Sequence, residues 1–522
     1  MINYWWVTRP KRKLNSVPEV LASFADMSLN QAWEGQRDSH LAVESALEEA
    51  GLKRKGERRD QTGGGARTYK AWLVSLGLIF SQESTGQIKL TLAGEALMNG
   101  ESPVEILKNQ VLKYQFPSAF SVGRGVQVNE RFKIHPFWFL LKLLNDNRIE
   151  YLTEDEIAKI VVTEAEDESD KCFEYIVKRI IDYRTYGDKV LADDFFELYK
   201  SSKGMVNPDH PFSHLIDLAN TLLNWLEYTQ LAKRDAGRIF ILEDRREDLK
   251  QILFEKPKFV DRPEQHEYFQ RKYGLDPKHK KDNRNLAMTK TITARMIDVQ
   301  KIRNAFIALS LRRPIRNINH DVVDYIVENT GADGKLVERT LIEYYPNGAI
   351  GGFMTEYFEM AFKGTEEAVQ FEVATTELFK DVFGFNAVHL GQTGSKSAPD
   401  VLLLSDSDGY QAIIDNKAYS KYSISGDHHN RMVHNYIENV SNYSDYTHPI
   451  GFFSYIAGGF GSQIDKQIKS IVDESGVHGS GITVSNMIKL VEKQGEKKLS
   501  HQEVRDLFSV DRQIVLADVA GL

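Results

Sequence analysis

The hydrophobic pattern changes period several times along the chain. Tyr69-Lys-Ala-Trp-Leu-Val-Ser-Leu-Gly-Leu-Ile-Phe reads as a helix stopped at Gly77 and running into a strand. A polar turn from Ser81 to Gly86 precedes Gln87-Ile-Lys-Leu-Thr-Leu, whose alternation predicts the returning strand. A weaker copy lies 153 residues on, in Asn224-Trp-Leu-Glu-Tyr-Thr-Gln-Leu-Ala, the turn Lys233 to Gly237, and the strand Arg238-Ile-Phe-Ile-Leu. Trp72 and Trp225 occupy the same place in the two copies and are expected in the core. Between them, Phe137-Trp-Phe-Leu-Leu-Lys-Leu-Leu is helical, and a second helix starts at Thr153 as N-cap with Glu156 three residues on. Met288 to Leu311 continues as a helix and Asn317 to Tyr345 as helical pieces, before Pro346-Asn-Gly-Ala-Ile-Gly-Gly breaks the chain.

Beyond that break, Phe371, Ala374, Thr375, Leu378, Phe379 and Val382 share one helix face, ended by Gly384. Three strands are expected next: Ala387-Val-His-Leu, then Asp400-Val-Leu-Leu-Leu after a polar turn from Gly391 to Pro399, then Tyr410-Gln-Ala-Ile-Ile-Asp-Asn-Lys after Ser405 to Gly409.

The order helix, Gly-Leu, strand, turn, strand is that of a winged-helix module, and such modules serve protein contacts as well as DNA. The expected architecture is therefore multidomain α+β, with a duplicated winged-helix region followed by an α/β domain. The boundaries are residues 1–145 and 146–255 for the two modules, 256–352 for a basic helical connector, and 353–522 for the last domain. A composition of 42% hydrophobic and 27% charged residues excludes disorder and collagen, and no apolar run reaches the ~18 residues of a membrane span. The amino terminus lacks the apolar core of a signal peptide, so a soluble cytoplasmic protein with no membrane partner is expected. The single cysteine, Cys172, excludes an internal disulfide framework and any zinc site built on several thiolates. The net charge of −8 conceals a basic stretch, Lys256 to Arg316, with 16 Lys/Arg against 6 Asp/Glu. Such a segment can face phosphates locally or simply keep a connector solvated.

Pro399-Asp400, a gap of 14 residues, then Asp415-Asn416-Lys417 fits the PD-(D/E)xK pattern of metal-dependent nucleases. Side chains alternate along a strand, so Asp415 and Lys417 share a face, and a neighbouring strand can bring Asp400 alongside Asp415. Two adjacent carboxylates are unfavourable without a cation, and hard oxygen ligands suit Mg²⁺. The expected metal ligands are Asp400, Asp415 and Asn416. Lys417 would hold or help deprotonate the attacking water and steady transition-state charge, with Glu372 completing the catalytic set through a bound water. Arg9, Lys11, Arg12, Lys13, Arg58, Arg67 and Lys70 are the candidate DNA contacts, serving either phosphate positioning or base reading.

Phe383-Gly-Phe, His389-Leu-Gly, Pro399-Asp400, Ile414-Asp-Asn-Lys-Ala-Tyr-Ser and Tyr436-Ile-Glu-Asn together resemble the FokI-type cleavage domain, over most of residues 356–515. Leu92-Ala-Gly-Glu-Ala-Leu and Lys113-Tyr-Gln-Phe-Pro in the amino-terminal half resemble the AlwI-type endonucleases and related nicking enzymes. The resemblance implies a type IIS restriction endonuclease that recognises an asymmetric duplex site in front and cuts at a fixed offset behind. It further implies Asp400 and Asp415 as metal ligands, Lys417 as the catalytic lysine, pairing of cleavage domains in a homo-oligomer, and a cognate methyltransferase. The stretch Asp427-His-His-Asn-Arg-Met-Val-His-Asn-Tyr needs a one-residue insertion to align with the pairing helix of that domain, so its pairing residues do not map. Two alternatives stay open: a strand-specific nickase with the same site, and a winged-helix DNA-binding protein with an inactive nuclease fold. His389 is expected to pack or hydrogen-bond within its strand, and His428, His429 and His434 are not expected to form a metal cluster.

Overall fold

The computed structural model describes residues 1–54, 62–122, 126–201, 211–286, 294–364, 367–391 and 398–522. The protein is mixed α+β and divides into two compact units. The first comprises Met1–Ala308 with Ile318–Pro346, and the second Leu309–Asn317 with Asn347–Leu522.

In the first unit, helices Val17–Ser28, Arg37–Glu49 and Gly64–Ser75 lead into the antiparallel hairpin β1 (Ile79–Ser81) and β2 (Ile88–Leu90). The order recurs later. Helix Asp170–Tyr186 and helix Ser213–Tyr228 precede β4 (Ala232–Asp235) and β5 (Arg238–Ile241), with β3 (Tyr151–Thr153) adding a third strand in the order β3-β5-β4. The expected helix at Thr153 begins with a capping box, since Thr153 accepts from the Glu156 amide while the Glu156 carboxylate accepts from the Thr153 amide. The backbone after the two helices is also alike. Gly77 has φ +68°, and Gln230, 153 residues on, takes φ +58° at the equivalent turn. Only glycine adopts that conformation without strain, and at Gly77 a Cβ would also strike Gln110 and Tyr273.

Trp72 and Trp225 are both fully buried, as their spacing predicts. One hydrophobic core holds both tryptophans, with Phe137 stacked on Trp225 at 5.8 Å and Tyr114 meeting Trp225 edge-on. Trp225→Ala is expected to cost the first unit ~3–5 kcal/mol, read as a lower urea midpoint at an unchanged slope; a shift no larger than that of a surface substitution would contradict it.

Part of the basic stretch is anchored rather than solvated. Helix His266–Tyr273 buries Phe269 and Tyr273, and Gln270 donates to the carbonyls of Val74 (2.7 Å) and Ile79 (3.2 Å). Among the described residues no helix is long and apolar enough to cross a membrane.

The second unit is built on a six-stranded sheet in the order β11-β10-β9-β8-β7-β6. Its strands are β6 (Asn386–His389), β7 (Val401–Ser405), β8 (Tyr410–Lys417), β9 (Ile450–Ala457), β10 (Gly479–Thr483) and β11 (Arg512–Ile514). β6, β7 and β8 are antiparallel, whereas β8 to β11 run parallel. β7 and β8 are buried almost throughout, as their continuous apolar runs require of inner strands. Helix Ala368–Asp381 buries Phe371, Ala374, Thr375, Leu378 and Phe379, the predicted face, and Gly384 follows it at φ +79°. On the opposite face of the sheet, Ile413, Phe453 and Tyr455 pack with Met432, Val433 and Tyr436 and with Ile464 and Ile468.

Candidate active site

Alternation along β8 puts Asp415 and Lys417 on the face that carries Ile413, and Asn416 on the face that carries Ile414. Lys417 Nζ lies 2.7 Å from Asp415 Oδ2, both largely enclosed. The antiparallel register pairs Val401 with Ile414, so one step outward Asp400 comes across from Asp415. Its carboxylate accepts a hydrogen bond of 2.7 Å from the Asn416 amide. On the other side, β9 sets the fully buried Tyr455 beside Asp415.

The electrostatics follow from this crowding. Burial, together with the negative charge of Asp415, pushes the Asp400 carboxyl well above the usual carboxylate range, and Lys417 offsets this only in part. Burial alone would raise Asp415 too, but Lys417 and Asp400 hold it below its ordinary value. Lys417 is raised: burial opposes its charge, and the attraction of Asp415 and Asp400 outweighs that. Without a cation, the second negative charge is therefore disfavoured at Asp400.

Asp415 Oδ1 is buried with no hydrogen-bond partner. An orphaned carboxylate oxygen beside a second carboxylate is the donor set a hard divalent cation fits, and Mg²⁺ commonly takes only one or two protein carboxylates. Among the described residues no group of three or more His, Cys, Asp or Glu side chains is arranged to hold a metal. The Asn416 side chain turns away from this face, its Nδ2 donating to Thr375 Oγ1 at 2.6 Å. What Asn416 can offer a cation is its carbonyl, which in an extended strand leaves by the same edge as its amide, toward Asp400.

Glu372 sits on helix Ala368–Asp381 and pairs with His389 Nε2 at 2.9 Å, and its charge adds to those raising Asp400. Gly391 lies against both groups, and a Cβ there would collide with the Glu372 carboxylate. His389, expected as a packed or hydrogen-bonded strand residue, is hydrogen-bonded, and its partner is Glu372. His428 bonds Tyr422, His429 bonds Glu474 and His434 bonds Glu438, each at 2.8–3.0 Å.

The candidate DNA contacts are dispersed within the first unit. Arg9 is half-buried over the Trp6 ring at 4.8 Å, Arg12 pairs with Asp217 at 2.6 Å, and Lys70 pairs with Glu34 over the face of Trp33. Lys11 is half-buried, Lys13 and Arg67 are exposed, and Arg67 donates to the Thr62 carbonyl. Arg58 lies outside the described residues. Trp5 is fully buried, its indole donating to Ala165 O at 2.9 Å, so the amino-terminal segment is packed.

Comparison with known proteins adds to this geometry. Residues 331–515, which hold all the groups around Asp400 and Asp415, match the FokI cleavage domain. Residues 74–340, just over half the chain, match the AlwI restriction endonuclease family, and the chain belongs to that family. A curated relative, the type II restriction enzyme StsI of Streptococcus sanguinis, is 24% identical over 151 residues, 27% of this chain. The match spans about a quarter (24%) of that relative's length. Among solved structures, restriction endonuclease FokI is 15% identical, with 99% of this chain and 100% of that one covered and a TM-score of 0.28. The BpuJ1 endonuclease binding domain, solved with modified DNA, is 15% identical over 52% of this chain and 95% of its own, with a TM-score of 0.36.

Proposed function

We propose that the chain is a type IIS restriction endonuclease. Its first unit recognises an asymmetric duplex site through two winged-helix modules, and a PD-(D/E)xK domain at 353–522 hydrolyses phosphodiester bonds at a fixed offset. The observation that carries this reading is Asp400, Asp415 and Lys417 converging at one end of β7 and β8, with a buried carboxylate oxygen left without a partner. The repeated order of helices and hairpin, with matching left-handed turns at Gly77 and Gln230, supports the duplicated modules. Arg12, Lys13 and Arg67 are the exposed sequence candidates for DNA contact.

Mg²⁺ held by Asp400, Asp415 and the Asn416 carbonyl would polarise the scissile phosphate and favour hydroxide formation at neutral pH. Asp400 and Asp415 present the negative charge that binds the cation, and the Asn416 amide fixes the direction of Asp400. Lys417, held in its charged form, donates hydrogen bonds to the attacking water and to the phosphate oxygen on which charge develops. A charged lysine orients and stabilises, and the proton that the water loses passes to solvent. Glu372, hydrogen-bonded to His389, would complete the site by accepting a hydrogen bond from a bound water.

Incubation of plasmid DNA with the protein and Mg²⁺, followed by run-off sequencing of the ends, tests the reading. Fixed offsets from one asymmetric sequence support it, nicked circles with no linear product indicate a strand-specific nickase, and intact supercoils reject it. One hydrolytic centre per chain faces two antiparallel strands, so double-strand cutting should recruit a second chain. The rate of linear product is expected to rise more steeply than first order in enzyme at fixed DNA; a first-order rate from a protein that stays monomeric on DNA would contradict this. Such an enzyme works in the cytoplasm beside a cognate methyltransferase, which protects the host's own sites.

A further inference from the structure

Behind the site, on the far face of β8, lies a polar line in an otherwise apolar layer. Asn416 Nδ2 donates to Thr375 Oγ1 at 2.6 Å, and the Tyr357 hydroxyl meets the same oxygen at 2.9 Å. Thr375 Oγ1 also bonds the Phe371 carbonyl at 2.8 Å, which uses its single proton. Both other contacts are therefore accepted, so Tyr357 donates to Thr375. All three residues are buried, among neighbours such as Ile414, Ala412 and Phe371 that are fully enclosed and apolar.

An amide here is costly. Asn416 Oδ1 remains buried without a partner, whereas a valine or isoleucine would fill the same strand position without that penalty. What the amide provides is a fixed main chain at the one residue between Asp415 and Lys417. Its amide directs Asp400, and its carbonyl faces the same edge. The line also ties that residue to two helices: Tyr357 lies on Gly351–Met360, and Thr375 lies on Ala368–Asp381, one turn beyond Glu372.

We propose that Tyr357, Thr375 and the Asn416 side chain are positioning residues, a buried hydrogen-bond line that sets the Asn416 main chain and with it the spacing of Asp400, Asp415 and the cation they hold. This rests on the nuclease reading above. The geometry assigns none of the three a contact with substrate; they act through Asn416.

The test uses the full chain with Thr375→Val, Thr375→Ser and Tyr357→Phe. Three readouts apply: kcat on cognate DNA, the half-saturating Mg²⁺ concentration, and Mg²⁺ binding by calorimetry without DNA. Thr375→Val is expected to lower kcat and weaken Mg²⁺ binding roughly 10–100-fold, the usual range for groups that orient metal ligands, with KM for DNA little changed. Thr375→Ser, which restores the hydroxyl, should recover most of both. Tyr357→Phe removes one hydroxyl and keeps the ring; it should move both readouts in the same direction, and it decides the matter if Thr375→Val does not fold. Wild-type kcat and Mg²⁺ affinity in the valine and phenylalanine variants would overturn the proposal, as would a serine variant as impaired as the valine one. If the wild-type chain cuts no DNA, the nuclease reading fails, and calorimetry alone decides the positioning role.

Discussion

Asp400→Asn and Asp415→Ala are both expected to abolish cleavage, by roughly three orders of magnitude or more, and to shift the stability of the cation-free protein in opposite directions. Site-specific binding measured in Ca²⁺ should survive both, because the two acids lie outside the unit proposed to read DNA. The stability difference follows from the charge arrangement. Asp415 is the counter-ion of an enclosed lysine at 2.7 Å, and removing it strands that ammonium. Breaking a buried pair costs several kcal/mol, here reduced to ~2–3 kcal/mol because Asp400 can ionise in its place. Asp400 is the opposite case. Its folded pKa is raised by burial and by Asp415, so the folded state holds a proton that the unfolded state releases, and stability falls as pH rises from the unfolded value toward the folded one. Asparagine removes that penalty and still accepts from the Asn416 amide. Thermal unfolding in EDTA should then show Asp400→Asn at or above the wild-type midpoint near neutral pH, the gain shrinking toward pH 4, and Asp415→Ala below it. A fall of equal size in both variants, or loss of specific binding in either, would contradict this account.

The site was legible where local pattern decides geometry. The apolar runs after Asp400 and before Asp415 mark inner strands, and alternation alone places Asp415 and Lys417 on one face. The same rule puts Asn416 on the other, where it bonds Thr375, so its side chain is not a ligand and its main chain is what faces the acids. Thr375 was read correctly as a buried helix position, but periodicity registers burial and not hydrogen bonding, which hid its role as acceptor for two side chains. His389 and Glu372 are seventeen residues apart and meet only because the helix packs beside β6. Charge counting hid the docking of His266–Tyr273: Phe269 and Tyr273 lie four residues apart within a basic run, and what they pack against lies far away in sequence. Trp5 was hidden for the same reason, since its partner is the Ala165 carbonyl. Among the cationic candidates, composition could not separate Lys13 and Arg67, which are exposed, from Arg9 and Lys70, which rest on indole rings.

Lys417→Met is expected to slow cleavage at least ~100-fold while binding the divalent cation no more weakly than the wild-type chain. The two halves of this expectation come from one geometry. In the native site the ammonium neutralises part of the charge that Asp400 and Asp415 present, since it lies 2.7 Å from Asp415 and its own charge is favoured by both acids. Removing it leaves the acids more negative toward a cation, so affinity should hold or rise. It also removes the donor proposed to face the attacking water and the phosphate oxygen, and nothing else on β8 replaces it: Asn416 points to the far face and Ala418 has no polar side chain. Methionine keeps the length and flexibility of the stem, so packing against the enclosed strand is largely preserved. Calorimetric Mg²⁺ titration beside single-turnover cleavage separates the two effects. Weaker Mg²⁺ binding at an unchanged rate under saturating cation would make Lys417 a structural partner of Asp415 alone. A near-normal rate with normal binding would move the orienting role to another donor, with His389 beside Glu372 the first to examine.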